Sequence, residues 1–409
     1  MGKIKIIIEN ILGELQYLFC PKDKSIVILG AWFGNRFSDN TRYLYQYLSE
    51  NKEKLGLTHV VWVTRDAKIQ KELTEMGYEA YMMDSEEAIQ FHKCAGIHIL
   101  CNSTTDNELH TADILSRYSN GAIKINLWHG LGGIKGVSFA SKDYLNEKAA
   151  NPIKCGLKEW LRKFKIYRVF FQLPGGWGDT YYLSTTPFET EIFKKYFCMP
   201  DRYYIESGYP RNQKNIRLRK REAEVIDKIK SSKRVILYMP TFRNDNSNYV
   251  SPLSCEAVLS MLKENGWLWI EKKHGADSKD VPDKVEESSV LQLNSDFDAN
   301  VLLPYVDLIV TDYSSVSWDG LYHRKPILFY MPDYSYYMEE DRGFVLKPEE
   351  FIIGPATYSI SEMVQELQKY KEDFSKMLPD NEEELFEKVW GKERDCSEIW
   401  ADMKQHLHL

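Results

Sequence analysis

The sequence lacks any apolar run of the roughly 18 residues needed to cross a bilayer, and its start has no small-residue cleavage site. It therefore predicts neither an integral membrane protein nor a secreted one. The formal net charge of −7 argues against a general nucleic-acid-binding protein. The seven cysteines show no CxxC pair and no metal-ligand spacing, a pattern typical of reduced thiols in a cytoplasmic protein.

The length of 409 residues and the 43% hydrophobic content favour two domains. Short β-rich apolar runs alternate with helical segments in two successive sets, which predicts two doubly wound parallel-sheet domains of the α/β class facing each other across a cleft. The predicted domains are residues 1–228 and 229–385, and a last helical segment, 386–409, could cross back to the first. The predicted strands are 25–29, 59–63, 79–82, 97–101, 123–127, 181–183, 203–206, 235–238, 268–272, 290–293, 308–310 and 327–330.

The most informative segment is 311–319, TDYSSVSWD, which follows an apolar run at 306–310. A strand that enters a hydroxyl-rich turn and then a helix offers backbone N–H groups, hydroxyls and the positive end of the helix dipole to a phosphate. Ser, Thr and Asp also cap helices for purely structural reasons. The segment alone therefore fits a phosphate-binding turn and a helix cap equally well.

Five further segments accompany this turn: WHG at 128–130, GYPR at 208–211, PTFR at 240–243, KKHG at 272–275 and RG at 342–343. Each string alone is weak, but the ordered series is specific. It resembles the CDP-glycerol glycerophosphotransferase family, the teichoic acid primases and polymerases of bacterial cell envelopes. The resemblance spans residues 34–355. It implies a GT-B-like fold, a CDP-alcohol donor bound by the second domain, and a polyprenyl-linked acceptor on the side of the first.

The chemistry that such a donor demands is phosphoryl transfer, which needs positioning, charge neutralisation and one proton acceptor. His129 is the candidate general base because histidine titrates near neutral pH and Gly130 leaves room beside it. The alternative is a histidine with a purely structural role at a strand end. In the family that the sequence resembles, the WHG histidine is assigned to the acceptor, which favours the general-base role for His129. His274, on the other domain, is predicted to contact a phosphoryl oxygen or the departing CMP.

Donor binding is assigned to residues that can hold phosphate, ribose or cytosine. The guanidinium groups of Arg243 and Arg211 can each donate two hydrogen bonds to phosphate oxygens. Arg211 could equally form a salt bridge between domains. Asp319 could take a ribose hydroxyl or the cytosine amine, or lie on a solvated helix face. The full predicted donor set is Arg211, Thr241, Arg243, Thr311, Ser314, Ser315, Asp319 and Arg342.

Two features depart from the family pattern, the loop after His129 and Gly275, which takes the place of the proline after His274. After His129 the chain reads GLGGIK instead of the commoner GTPLK, so Gly130 and Lys135 belong to an acceptor loop of unusual sequence. Asp333 and Asp341 could in principle bind Mg²⁺, but no tight set of three or four oxygen ligands is visible, and a loop of solvated charges is the safer interpretation. No metal site is predicted.

A basic amphipathic pattern at 155–171 predicts contact with an anionic membrane surface. Apolar side chains recur at helical spacing, and five Lys and Arg residues supply charge. A surface helix packed on its own domain is the alternative. The family resemblance favours a peripheral protein on the inner face of the bacterial cell membrane. The apolar residues are Leu157, Trp160, Leu161, Phe164 and Phe171, and the basic ones are Lys158, Arg162, Lys163, Lys165 and Arg168.

The sequence thus predicts transfer of glycerol phosphate from CDP-glycerol to a lipid-linked envelope polymer or its primer. Transfer of ribitol phosphate from CDP-ribitol is the nearest alternative, since enzymes that use it share these motifs. A nucleotide-sugar glycosyltransferase of the same fold is a second alternative, and a non-catalytic protein that binds envelope intermediates is a third.

Overall fold

The computed structural model describes residues 8, 11–12, 15, 19–102, 112–115, 118–170, 179–241, 250–272, 289–339 and 344–409. The chain forms two compact units. The first comprises residues 1–129, 145–217 and 393–409, and the second comprises 130–144 and 218–392. The sequence predicts a boundary at residue 228, whereas the structural units change over after Arg217, before the helix Lys220–Lys230.

The first unit is built on a parallel sheet of seven strands in the order β3-β2-β1-β4-β5-β6-β7. Its inner strand β4 is buried at every position, as expected for a strand covered on both faces. The strand order reverses at the β1/β4 pair, and ligands of such sheets bind beyond the carboxyl ends at this switch point. The strands are β1 (Asp23–Leu29), β2 (His59–Thr64), β3 (Glu79–Met82), β4 (Ala95–Leu100), β5 (Ile123–Asn126), β6 (Tyr181–Ser184) and β7 (Tyr204–Glu206).

The second unit contains a parallel sheet of six strands in the order β10-β9-β8-β11-β12-β13. Its switch point lies at the β8/β11 pair. A core that includes Trp267, Trp269 and Met363 packs against this sheet. The predicted fold class, two doubly wound parallel sheets of the GT-B-like type, is confirmed. The strands are β8 (Arg234–Met239), β9 (Trp267–Lys272), β10 (Val290–Leu293), β11 (Leu308–Thr311), β12 (Ile327–Tyr330) and β13 (Ala356–Thr357).

Helices connect these strands. The α-helices are Asp39–Glu50, Ala67–Glu75, Glu86–Cys94, Lys142–Ala150, Pro152–Leu161, Lys165–Phe170, Pro187–Phe197, Lys220–Lys230, Glu256–Asn265, Val316–Tyr322, Tyr334–Glu339, Pro348–Phe351, Ile360–Lys369, Glu382–Trp390 and Cys396–Leu407. Short 3₁₀ helices are Trp32–Gly34, Ser138–Ala140, Asp201–Tyr203, Pro210–Asn212, Pro252–Ser254, Ala299–Tyr305 and Phe374–Met377. Within the described ranges, no helix is long and apolar enough to cross a membrane.

Two predicted helices are interrupted. Over its described residues, the basic segment 155–171 is divided into Pro152–Leu161 and Lys165–Phe170, and Arg162 between them is buried and donates to the Phe197 carbonyl. Phe171 lies outside the described residues. The C-terminal segment predicted as one helix is also two, separated at Gly391, which has a φ of 69°. Glycine adopts this left-handed conformation readily and ends helices for that reason.

Candidate active site

His129 lies three residues beyond the end of β5, at the carboxyl edge of the first sheet. Its Nδ1 is 2.9 Å from the carbonyl oxygen of Cys101, which follows β4. A carbonyl only accepts, so Nδ1 carries the proton and the lone pair of the neutral ring is on Nε2. The half-buried ring also meets Trp32, which follows β1, edge to face at 5.4 Å between centroids. Residues after β1, β4 and β5 thus fix the orientation of the imidazole.

The backbone around this ring is strained. Trp32, Asp39 and Trp128 have φ values of 46°, 67° and 57°, which residues other than glycine adopt infrequently. Such residues persist where the surroundings hold them in place, and they concentrate at functional sites. Here Trp32 Nε1 donates to Asp39 Oδ2 at 3.2 Å, so two of the strained residues are joined directly.

Arg211 is buried in the same network of the first unit. It is 4% exposed, and its Nη1 donates to Asp39 Oδ1 at 3.0 Å. The predicted alternatives for Arg211 were a phosphate ligand and a salt bridge between domains. The ion pair observed is a different one, with a carboxylate of its own unit, and it neutralises the guanidinium in the interior.

Asp113 anchors the backbone that surrounds His129. Its carboxylate accepts hydrogen bonds from the amides of Phe33, Cys101 and Asn102 at 2.7, 3.0 and 2.6 Å. The first of these amides lies beside Trp32, and the second belongs to the residue whose carbonyl holds the His129 ring. Burial raises the pKa of Asp113 to about 6, and the backbone hydrogen bonds oppose that shift.

This raised pKa predicts a pH-dependent contribution to stability. Between about pH 6 and its ordinary pKa of 3.8, Asp113 binds a proton in the folded state and not in the unfolded chain. Its stabilising contribution is therefore complete at low pH and is lost as the pH rises through about 6. We expect the free energy of unfolding of wild type, relative to Asp113→Asn, to fall by about 3 kcal/mol over this interval. Chemical denaturation of both proteins between about pH 4 and pH 8 measures it, and a pH-independent difference contradicts it.

In the second unit, Thr241 and Asp312 meet at the switch point between β8 and β11. The Thr241 amide donates to both Asp312 oxygens, at 2.9 and 3.0 Å, and the Tyr313 amide donates to Oδ1 at 2.6 Å. Lys135 Nζ lies 3.3 Å from Thr241 Oγ1. Asp312 thus connects the chain segments that follow the two central strands, β8 and β11. The Lys135 ammonium group lies beside the first of these segments, at Thr241.

Ser314 and Ser315 follow Asp312 and are half-buried. Ser315 precedes the helix Val316–Tyr322, and its side chain makes no capping hydrogen bond. Ser314 Oγ accepts from the Val316 amide only at 3.4 Å. Gly130 lies against Ser315 so closely that a Cβ at residue 130 would be 2.3 Å from Ser315 Oγ. The Ser315 hydroxyl can therefore occupy its observed position only because residue 130 has no side chain.

Two other predicted donor ligands are deeply placed. Thr311 is fully buried in β11, and its hydroxyl donates to the Met239 carbonyl at 2.8 Å. Asp319 is 3% exposed, so it is not on a solvated helix face. The loop that contains Lys135 is held by an antiparallel bridge from Lys135 to Phe344 and by the Leu346 amide, which donates to the Gly133 carbonyl at 2.9 Å.

The predicted residues Arg243, His274 and Arg342 lie outside the described residues. Asp333 is buried, and its Oδ1 accepts from the Tyr313 hydroxyl at 3.1 Å, so it does not belong to a loop of solvated charges. Asp341, the other carboxylate considered for a divalent ion, is also outside the described part. Within that part, no group of three His, Cys, Asp or Glu side chains could hold a metal ion.

The residues that support His129 were not predicted from the sequence; they are Trp32, Asp39, Asn40 and Asp113. A partial signal existed in Ser38-Asp39-Asn40, a polar cluster at a helix start soon after a strand. That pattern predicts a cap, and nothing in it indicates contact with residues almost ninety positions away.

Comparison with known proteins agrees with the motifs. Residues 14–395 match the model of the CDP-Glycerol:Poly(glycerophosphate) glycerophosphotransferase family. The chain belongs to this family. Its members are enzymes that transfer glycerophosphate, and this chain is therefore a CDP-glycerol glycerophosphotransferase-like transferase.

Two relatives and one solved structure illustrate what this chain is similar to. The teichoic acid poly(glycerol phosphate) polymerase of Bacillus spizizenii is 26% identical over 91% of this chain and 89% of that protein. The teichoic acid glycerol-phosphate primase of Bacillus subtilis is 28% identical over 71% of each chain. A crystallised variant of the wall teichoic acid polymerase TagF, soaked with CDPG, shares the fold with a TM-score of 0.68 at 19% identity, over 99% of this chain and 96% of that one.

Proposed function

We propose that this enzyme transfers glycerol phosphate from CDP-glycerol to a hydroxyl of a lipid-linked, teichoic-acid-like or capsular acceptor and releases CMP. The observation that carries the proposal is the Nδ1–H of His129, which donates to the Cys101 carbonyl at the carboxyl edge of the first sheet. This arrangement fixes the tautomer that a general base requires. Membership of the glycerophosphotransferase family supports CDP-glycerol as the donor.

In the proposed step, the acceptor hydroxyl oxygen attacks the phosphorus that bears glycerol. A new P–O bond forms to the acceptor, and the bond from that phosphorus to the bridging oxygen of the pyrophosphate breaks. CMP leaves with the bonding electrons, and the acceptor proton moves to His129 Nε2. His274, predicted from the sequence, would stabilise the departing CMP.

The donor pyrophosphate is assigned to the second unit. Ser314 and Ser315 offer hydroxyls at the carboxyl end of β11 that are little used for helix capping. Lys135 supplies positive charge beside Thr241. We leave Thr311 out of the proposed ligand set, because its buried hydroxyl donates to the Met239 carbonyl.

The proposal is tested by nucleotide release. The purified protein is incubated with a lipid-linked primer and either CDP-glycerol, CDP-ribitol or a set of UDP-sugars. We expect acceptor-dependent CMP release from CDP-glycerol. A preference for CDP-ribitol would change the proposed donor alcohol from glycerol to ribitol and leave the proposed phosphoryl transfer unchanged. Release of UDP alone would contradict the proposal.

The proposed location is the inner face of the cell membrane, where a polyprenyl-linked acceptor is held. It is supported by an exposed apolar patch on two neighbouring helices of the first unit, Pro152–Leu161 and Lys165–Phe170. These side chains are 47% to 87% exposed, unusual for large apolar groups so close together. We call this the Trp160 patch, and its members are Ile153, Leu157, Trp160, Phe164 and Ile166.

The charge around the Trp160 patch differs from the sequence prediction. Arg162 and Arg168 are 9% and 1% exposed and donate to backbone carbonyls, so the prediction that they form the basic face is wrong. Lys163 and Lys165 are exposed beside the patch, and Lys165 Nζ lies 3.8 Å from Asp179 Oδ2. Exposed lysines beside exposed aromatic side chains are the composition of a membrane-surface element.

We expect the protein to co-sediment with anionic vesicles and to be partly released by salt. The double variant Trp160→Ser/Ile166→Ser should lose most of this binding, and Lys163→Glu/Lys165→Glu should lose the salt-sensitive part. Tyr305→Ser, which changes a side chain 42% exposed on the second unit, is the control and should bind like wild type. Undiminished binding by both double variants would rule out the Trp160 patch as the anchor.

A further inference from the structure

We propose that Asn40 is a positioning residue for the catalytic base. This inference rests on the proposed role of His129. Asn40 is fully buried at the start of the helix Asp39–Glu50. Its Nδ2 donates to the carbonyl oxygens of both Leu127 and Trp128, each at 3.0 Å. These are the two residues immediately before His129, so one side chain fixes the path by which the chain reaches the base.

The opposite end of the Asn40 amide is fixed as well. Its Oδ1 accepts from the Arg211 backbone amide at 3.1 Å. Two carbonyl acceptors at one end and an N–H donor at the other determine the orientation of the amide. Aspartate, although of the same size, would set a second acceptor against the carbonyl oxygens. The site thus requires a group that donates twice and accepts once.

The turn needs this restraint because Trp128 has a φ of 57°. The Trp128 amide donates to Asn126 Oδ1 at 2.8 Å, so both polar groups of that strained residue are held by side-chain amides. Without Asn40 the strained residue can relax, and the next residue is His129. A shift of the ring by about 1 Å disrupts its hydrogen bond to Cys101 and misaligns the base, which typically costs roughly a hundredfold in rate.

The ion pair between Asp39 and Arg211 completes the arrangement. It connects the start of the helix that carries Asn40 to the segment whose backbone amide holds Asn40 Oδ1. Arg211 therefore helps to position His129 through its contact with Asn40, and this role requires no contact with phosphate.

The test compares Asn40→Ala with Gln46→Ala. Gln46 lies on the same helix, is 2% exposed, and donates from Nε2 to the Arg217 carbonyl at 2.9 Å. The two variants thus each lose a buried amide that donates to backbone carbonyls, but only one loses contact with the turn. We expect Asn40→Ala to lower kcat roughly tenfold to a hundredfold at unchanged donor affinity. Gln46→Ala should retain kcat within about twofold, whatever the change in its melting temperature.

A double variant separates positioning from general destabilisation. If Asn40 acts through His129, Asn40→Ala/His129→Ala should be no slower than His129→Ala alone. Multiplied losses in the double variant, or a kcat for Asn40→Ala within about twofold of wild type, would overturn the inference.

Nitrogen NMR of ¹⁵N-histidine-labelled protein tests the inference without turnover, and so apart from the proposed function. Wild type should show His129 protonated on Nδ1, and Asn40→Ala should show a mixture of tautomers at that ring. An unchanged Nδ1–H signal in Asn40→Ala would refute the positioning role even if no CDP-alcohol is a substrate.

Discussion

Replacement of His129 by alanine is expected to lower the rate of transfer by roughly two to four orders of magnitude, the size of a general-base contribution. Donor affinity should change little, because the residues proposed to hold the donor pyrophosphate, Ser314, Ser315 and Lys135, belong to the second unit. Initial rates of CMP release and calorimetric titration with CDP-glycerol measure the two effects separately.

His59→Ala is a suitable control for this variant. His59 belongs to the same unit and lies 2.9 Å from Glu79 at a partly exposed position on β2. Its removal should leave turnover within about twofold of wild type. Turnover of His129→Ala that is equally close to wild type would show that another group accepts the proton.

Substitution of Gly130 by alanine is expected to weaken donor binding by roughly tenfold to a hundredfold. The new Cβ would lie 2.3 Å from Ser315 Oγ, so the hydroxyl must leave its present position. A lost hydrogen bond to a charged phosphate typically costs about 1.5–3 kcal/mol, which gives an affinity change of that size. Calorimetric titration with CDP-glycerol provides the measurement.

The Gly130 prediction has an internal check. Ser315→Ala removes the clashing atom, so Gly130→Ala/Ser315→Ala should bind the donor no more weakly than Ser315→Ala alone. Gly156→Ala, at a helical glycine with no atom within 4 Å of the added Cβ, should leave binding unchanged. Donor affinity of Gly130→Ala equal to that of wild type would remove Ser315 from the proposed donor site.

The features that the sequence predicted correctly follow from local patterns. Apolar runs bounded by turn residues located both sheets, and three of the strands, Glu79–Met82, Val290–Leu293 and Ile327–Tyr330, have the predicted limits. His129 and Ser314 follow strands, as predicted. This could be predicted because the sequence changes from apolar to polar residues where a buried strand ends. The missed strand Ala356–Thr357 is only two residues long and has no such pattern.

The features that the sequence did not predict depend on long-range contacts. Asn40 and Trp128 are 88 residues apart, and Asp39 and Arg211 are 172 apart, so no periodicity or spacing relates them. Arg162 and Arg168 fit a basic helix face by spacing, yet hydrogen bonds to Phe197 and to the Arg162 carbonyl hold them inside the unit. A charged residue can satisfy its donors in the interior, and sequence alone does not reveal where those acceptors lie.

Transfer of the glycerol phosphate can be followed directly. CDP-glycerol labelled in the glycerol is incubated with the protein and a lipid-linked primer, and both the label in the primer and the CMP released are quantified. We expect one CMP for each labelled glycerol phosphate transferred, at a rate that His129→Ala lowers by roughly two orders of magnitude or more. CMP release without labelled primer, or transfer that is insensitive to His129, would contradict the proposed function.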